Sequence, residues 1–257
     1  MKRKILTASI PLAVMAIVGT TFAASAASAG VPANPAWQSS DPEGTWQHDN
    51  FLFQNDMWSG ACQPTPHAAC GPQSIWANSP NDWGVTANMA KGNTEVLTYP
   101  DIGRLFGTDA GQAADPVSGY HTISNSFAET MPNVAGEHAE AADDVWLNHW
   151  NIEIMIWTED HGQDASYLPV IGHPTYDGVS YTVYQNGSGN GAEYIFKMDK
   201  NESSGTTHIL WAIDWLIKHG KVPANSTLTE VEYGWEIAST GGTPQDFHMS
   251  HYQLYAH

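Results

Sequence analysis

Two glutamates sit in stretches of alternating character, and their neighbours suggest chemistry. If Ile152-Glu153-Ile154-Met155-Ile156-Trp157 is a strand, successive side chains point to opposite faces. The three isoleucines then belong against a second sheet, while Glu153, Met155 and Trp157 share the remaining face. A second stretch, Glu232-Tyr233-Gly234-Trp235-Glu236-Ile237-Ala238, repeats the device. Tyr233, Trp235 and Ile237 turn toward a core, and Glu236 faces away with the small residues Gly234 and Ala238 leaving space on either side. Two carboxylates facing one cleft are what glycoside hydrolysis needs: one attacks the sugar or activates water, the other protonates the leaving oxygen. Taken alone, each pattern also fits an exposed glutamate on an amphipathic strand.

Other chemistries lack their signatures. His248-Met249-Ser250-His251 has ligand spacing only on a helix; in a terminal strand residues three apart face opposite ways. There is no G-x-S-x-G elbow, no Walker A loop and no dinucleotide fingerprint. No cofactor or metal is expected.

The elements that must carry these residues are short strands. Eleven Trp, ten Tyr, 23 Gly and 15 Pro, with only 14% charged residues, argue against a helical bundle and for strands joined by turns. Candidate strands are Asn93 to Tyr99, Val145 to Trp157, Tyr167 to Ile171, Val179 to Gln185, Ala192 to Met198 and Glu230 to Ala238. Asn186 to Gly191 reads as a hairpin tip. One stretch, His208 to His219, has a helical period, with Ile209, Ile213, Leu216 and Ile217 on one face and Gly220 at the stop. Trp211 and Trp215 on it are assigned to the core. The architecture expected is an all-β antiparallel β-sandwich with one α-helix.

The net charge of −18 repels phosphate backbones and anionic membrane surfaces, so nucleic acid is excluded as a partner and neutral sugars are favoured. Residues 1–29 read as a signal peptide: Lys2, Arg3 and Lys4, an apolar run to Phe22, then Ala27-Ser28-Ala29 before the cut. The protein is therefore expected to be secreted and extracellular, with no membrane contact after cleavage. Residues 30–44 read as a mobile lead-in and 45–257 as the catalytic domain, with no separate binding module visible and a monomer expected. In that oxidising setting Cys62 and Cys70 are expected to form a disulfide.

Several islands, in order from about Gln54 to Leu254, resemble glycoside hydrolase family 12, secreted β-1,4-glucanases with a curved jelly-roll β-sandwich. Asn55-Asp56-Met57-Trp58 resembles the family's N-N-x-W strand, and Val96 to Asp101 its K-S-Y-P-N segment. Ala141 to Leu147 resembles A-A-Y-D-I-W-L, Glu153 to Trp157 is similar to E-I-M-I-W, and Tyr233 to Ile237 to the second glutamate strand. The resemblance implies Glu153 as nucleophile, Glu236 as acid/base and Asp144 as a hydrogen-bonding partner of the nucleophile. It implies Asn55 and Trp58 as sugar contacts and Met155 with Trp157 around the reaction centre. It also implies the helix on the convex side and a β-glucan polysaccharide as substrate. Asp143 stands where the family has Tyr, and Asp56 replaces its second Asn. A preference for xyloglucan or mixed-linkage glucan stays open at this point, as does a non-catalytic carbohydrate-binding sandwich.

Overall fold

The computed structural model describes residues 31–58, 62 and 70–257. The expected signal peptide therefore lies outside the described residues. Two sheets face each other. The first has the order β1 (Trp37–Ser39), β4 (Gln73–Ser79), β5 (Asp82–Ala87), β17 (Gln245–Ala256), β8 (Ile123–Thr130) and β15 (Ser204–Thr207). The second runs β11 (Val170–Gly172), β13 (Val179–Asn186), β14 (Ala192–Met198), β10 (Ile152–His161), β9 (Glu137–Leu147), β16 (Thr227–Thr240), β6 (Asp101–Leu105), β3 (Phe51–Gln54) and β2 (Thr45–His48). Two short strands attach to it, β7 (Asp115–Pro116) to β16 and β12 (Thr175–Tyr176) to β13. Pairing is antiparallel except for β10 with β14.

The alternation read from the sequence decides which side of each strand is core. Ile152, Ile154 and Ile156 are buried against the first sheet, as are Tyr233, Trp235 and Ile237. The helix α1 (Ile209–Lys218) buries Ile209, Ala212, Ile213 and Leu216. Its Trp211 and Trp215 pack on Phe196 of β14, so it covers the convex side of the second sheet. Cys62 and Cys70 are joined by a disulfide.

Three expectations are corrected. The lead-in supplies strand β1, paired with β4 through Trp37, Gln38 and Ser39, because an apolar edge is available to it. Asn93 to Tyr99 is not a strand: only Thr98 bridges, to Ile237, and the segment crosses as a loop tied by its own side chains. Val145 to Trp157 is a hairpin, not one run. Its turn carries three consecutive left-handed residues, Asn148, His149 and Trp150, with φ of 54°, 57° and 57°. Such non-glycine positions are costly, and this turn is pinned by Asn148 Oδ1 accepting from Thr227 N and by His149 N donating to Thr229 Oγ1.

Candidate active site

The site is built on the outward face of three adjacent strands, with β9 in the middle. Residues opposite one another in register share a face. Glu153 on β10 stands opposite Trp146 of β9 and opposite Glu193 of β14. Met155 stands opposite Asp144, and Asp144 opposite Glu232 of β16. Glu236 stands opposite Glu140, and Glu140 opposite Asp160. Carboxylates from four strands therefore line one surface.

Exposure separates the members of this row. From Leu228 to Thr240 every residue is buried except Glu236, and from Ile152 to Thr158 every residue is buried except Glu153. Glu140 and Asp101 are fully buried, with Asp144 and Glu232 nearly so, while Glu193 and Asp160 at the flank are half-buried. Glu232 is held by neutral donors, Gln54 Nε2 to Oε1 at 3.1 Å and Trp146 Nε1 to Oε2 at 3.1 Å. Trp150 Nε1 donates to Glu230 Oε2 at 2.9 Å.

Glu153 and Glu236 are not cross-strand neighbours. Their partners on β9, Trp146 and Glu140, lie six positions apart, about 20 Å in a flat sheet at roughly 3.3 Å per residue. The expected carboxyl gap of about 5–5.5 Å for a retaining pair requires curl of this face to bring the two ends together. The loop after β10 bears on this. Burial raises the Tyr167 phenol, and so do the charges of Glu193, Glu236, Glu140 and Asp164. One side chain thus feels both Glu193, beside Glu153, and the Glu236–Glu140 pair. Asp144 is diagonal to Glu153 rather than directly opposite, at the roughly 7–8 Å typical of such pairs.

Burial pushes Glu140 up to about 7 against the hydrogen bond with Glu236; Asp160 adds to the rise, and Gln163 and Lys197 oppose it. Glu193 is raised by burial and drawn back by Asn186 Nδ2, which donates to its Oε2 at 3.0 Å. The Tyr99 phenol is held well above its usual range by burial first, then by Asp144, Glu232, Asp101 and Asp143. It donates to Ala142 O at 3.0 Å.

Several expected sugar contacts have other work. Asn55 is fully buried: its Nδ2 donates to Asp41 O, and its Oδ1 accepts from Gln73 Nε2. It anchors the segment 55–58, in which Met57 is also buried and Trp58 is left partly exposed. Met155 and Trp157 are buried in a small cluster with Ala142, Ala165 and Ile195, under the loop bearing Leu168. Both lie beneath the surface they were expected to line. Gly234 leaves no room for a ligand, since a Cβ there would meet Pro100 O at 2.2 Å. The missed residues are Glu140, Glu193 and Glu232. Glu140 shared the two-residue alternation with Asp144, and Glu232 with Glu236; Glu193 had only its place in the candidate strand Ala192 to Met198.

Among the described residues no cluster of His, Cys, Asp and Glu could hold a metal ion, and no helix is long and apolar enough to cross a membrane. His248 Nε2 lies 3.2 Å from Asp82 Oδ1 and its ring stacks on Trp76, while His251 meets Ser126.

No family model and no curated protein matches the chain. Solved structures do. The xyloglucanase domain of NopAA, a type three effector from Sinorhizobium fredii, in complex with cellobiose, is 24% identical, with a TM-score of 0.74 over 87% of this chain and 100% of that one. A family 12 xyloglucanase from Bacillus licheniformis is 22% identical, with a TM-score of 0.72 over 86% and 100%. Endoglucanase 3 of family GH12 from Trichoderma harzianum is 17% identical, with a TM-score of 0.73 over 89% and 100%. The chain has the fold of glycoside hydrolase family 12. The expected jelly-roll sandwich is thereby established. Within the family 12 fold, the carboxylate-lined face is the surface of the sheet turned away from the shared core.

Proposed function

We propose that the chain is a secreted, retaining endo-β-1,4-glucanase that works with Glu153 and Glu236. The observation that carries this reading is the exposure pattern: within otherwise buried runs of two strands on one face, these two glutamates alone reach solvent. A binding module gains nothing from keeping two acids open in a floor of buried ones. In the proposed reaction Glu153 attacks the anomeric carbon as the bond to the leaving oxygen breaks, and Glu236 gives that oxygen its proton. Water, deprotonated by Glu236, then attacks the same carbon and frees Glu153, so configuration is retained. The chain's own residues suffice for each proton. Asp144, diagonal to Glu153, is proposed to orient it, and Trp58 to stack on a sugar ring.

Xyloglucan is the second reading of the substrate, favoured because the neighbours at 24% and 22% identity carry that activity in their names. Reducing-sugar release from carboxymethyl cellulose, xyloglucan and mixed-linkage β-glucan by the purified protein tests both. Release from none of the three refutes the enzymatic reading.

A further inference from the structure

Glu140 is an unusual residue to find in the floor of a sheet. It is fully buried, yet it stands directly opposite Glu236, whose own side chain reaches solvent. Neither Glu140 oxygen receives a well-formed hydrogen bond from a described N–H or O–H. Its close polar neighbours are the Glu236 carboxyl and the Gln163 amide. Two carboxyls in contact form a hydrogen bond only when a proton lies between them, and an isolated buried carboxylate is costly.

The other charges around the pair come from every strand beside it. Asp160 of β10 lies opposite Glu140, and Lys197 of β14 pairs with Asp160. Tyr167 and Asp164 come from the covering loop, and Glu193 from β14 lies within the same field. Lys197 is engaged by Asp160 and acts on Glu140 only through its charge, with no hydrogen bond to it.

We propose that Glu140 is a positioning residue for Glu236: the two carboxyls share one proton, and Glu140 keeps that proton available to the leaving oxygen. This rests on reading Glu236 as the acid. When the leaving oxygen takes the proton, two adjacent carboxylates remain. Their repulsion strengthens Glu236 as the base that takes a proton from water, which restores the shared state. Burial already pushes Glu140 to about 7, so sharing operates at near-neutral pH.

The test has two arms. With carbon-13-labelled glutamate, NMR titration of the wild-type protein should show a coupled carboxyl step within about one unit of pH 7, absent in Glu140→Gln. In kinetics, Glu140→Gln removes a neighbouring negative charge, so Glu236 gives up its proton more easily. The alkaline limb of kcat/KM should move to lower pH by about one unit or more, and Glu140→Asp should recover part of the shift. An alkaline limb that coincides with wild type, or a wild-type titration with no such step, overturns the proposal. The wild-type titration needs no variant to fold. Wild-type protein that cleaves no β-glucan refutes the proposed function instead, and the titration arm then decides alone whether the proton is shared.

Discussion

Asn125 Nδ2 donates to Asp143 Oδ1 at 2.8 Å, joining β8 of one sheet to β9 of the other through the middle of the sandwich. Asp143 occupies the position where the family pattern has Tyr, and it is fully buried. Burial pushes it from the ordinary 3.8 up to about 7, against hydrogen bonds with Thr207 and Asn125. The folded chain therefore keeps a proton that the unfolded chain has lost between those two values. Stability from this group is fully present below about pH 3.8 and falls as pH rises to about 7. Asp143→Asn should melt higher than wild type at pH 8 by at least ~2 °C, with the gain disappearing near pH 4. Thermal melts across pH check this; a gain independent of pH would contradict it.

Glu153→Gln and Glu236→Gln should each lower turnover on the best glucan by at least roughly 100-fold while the circular dichroism spectrum is preserved. For Glu236→Gln the loss should be smaller on an aryl glucoside whose leaving group needs no proton. Either variant retaining more than about a tenth of wild-type rate would remove that residue from its role.

Trp58 is half-buried, whereas its neighbours Asn55 and Met57 are drawn into the interior. Asn55 N donates to Gly44 O, Met57 N to Pro42 O, and Asp56 O accepts from Tyr99 N. Trp58→Ala should mainly raise KM for long oligosaccharides, with little change in kcat, if the ring binds ground and transition states alike. Initial-rate kinetics on a series of chain lengths would show it; an unchanged KM would deny the ring a sugar.

Gly234→Ala should destabilise strongly, because its Cβ would meet Pro100 O at 2.2 Å and Asp101 Cα at 2.8 Å. Both contacts are backbone and cannot swing aside, and Trp235 N donates to the same Pro100 carbonyl at 3.2 Å. A loss of ~2 kcal/mol or more by denaturant melts is expected. Wild-type stability in this variant would show that the β6–β16 seam can spread.

Strand alternation was legible because its period is short and one face is apolar. It placed Ile152, Ile154 and Ile156, and Tyr233, Trp235 and Ile237, on the core side without any knowledge of pairing. What alternation cannot carry is register. Nothing local to Glu236 says that Glu140 is its neighbour, since the two are separated by the whole α1 region. Nor does a pattern distinguish a residue on the right face from one that a loop later covers, which is why Met155 and Trp157 were expected in the open. Asn55 shows the same limit: its type suits a sugar, but a buried turn needed its amide more.

The three-residue strand β1 has an effect out of proportion to its length. By pairing with β4 it covers the backbone donors and acceptors of Ile75, Trp76 and Ala77 on that side of the six-stranded sheet. Without residues 37–39, the Gln73–Ser79 backbone would become a bare template beside buried Ile75 and Trp76. Such an edge recruits strands from other molecules. A protein trimmed before Ser40 is thus expected to lose solubility on storage before it loses its melting temperature, a colloidal rather than a thermodynamic failure.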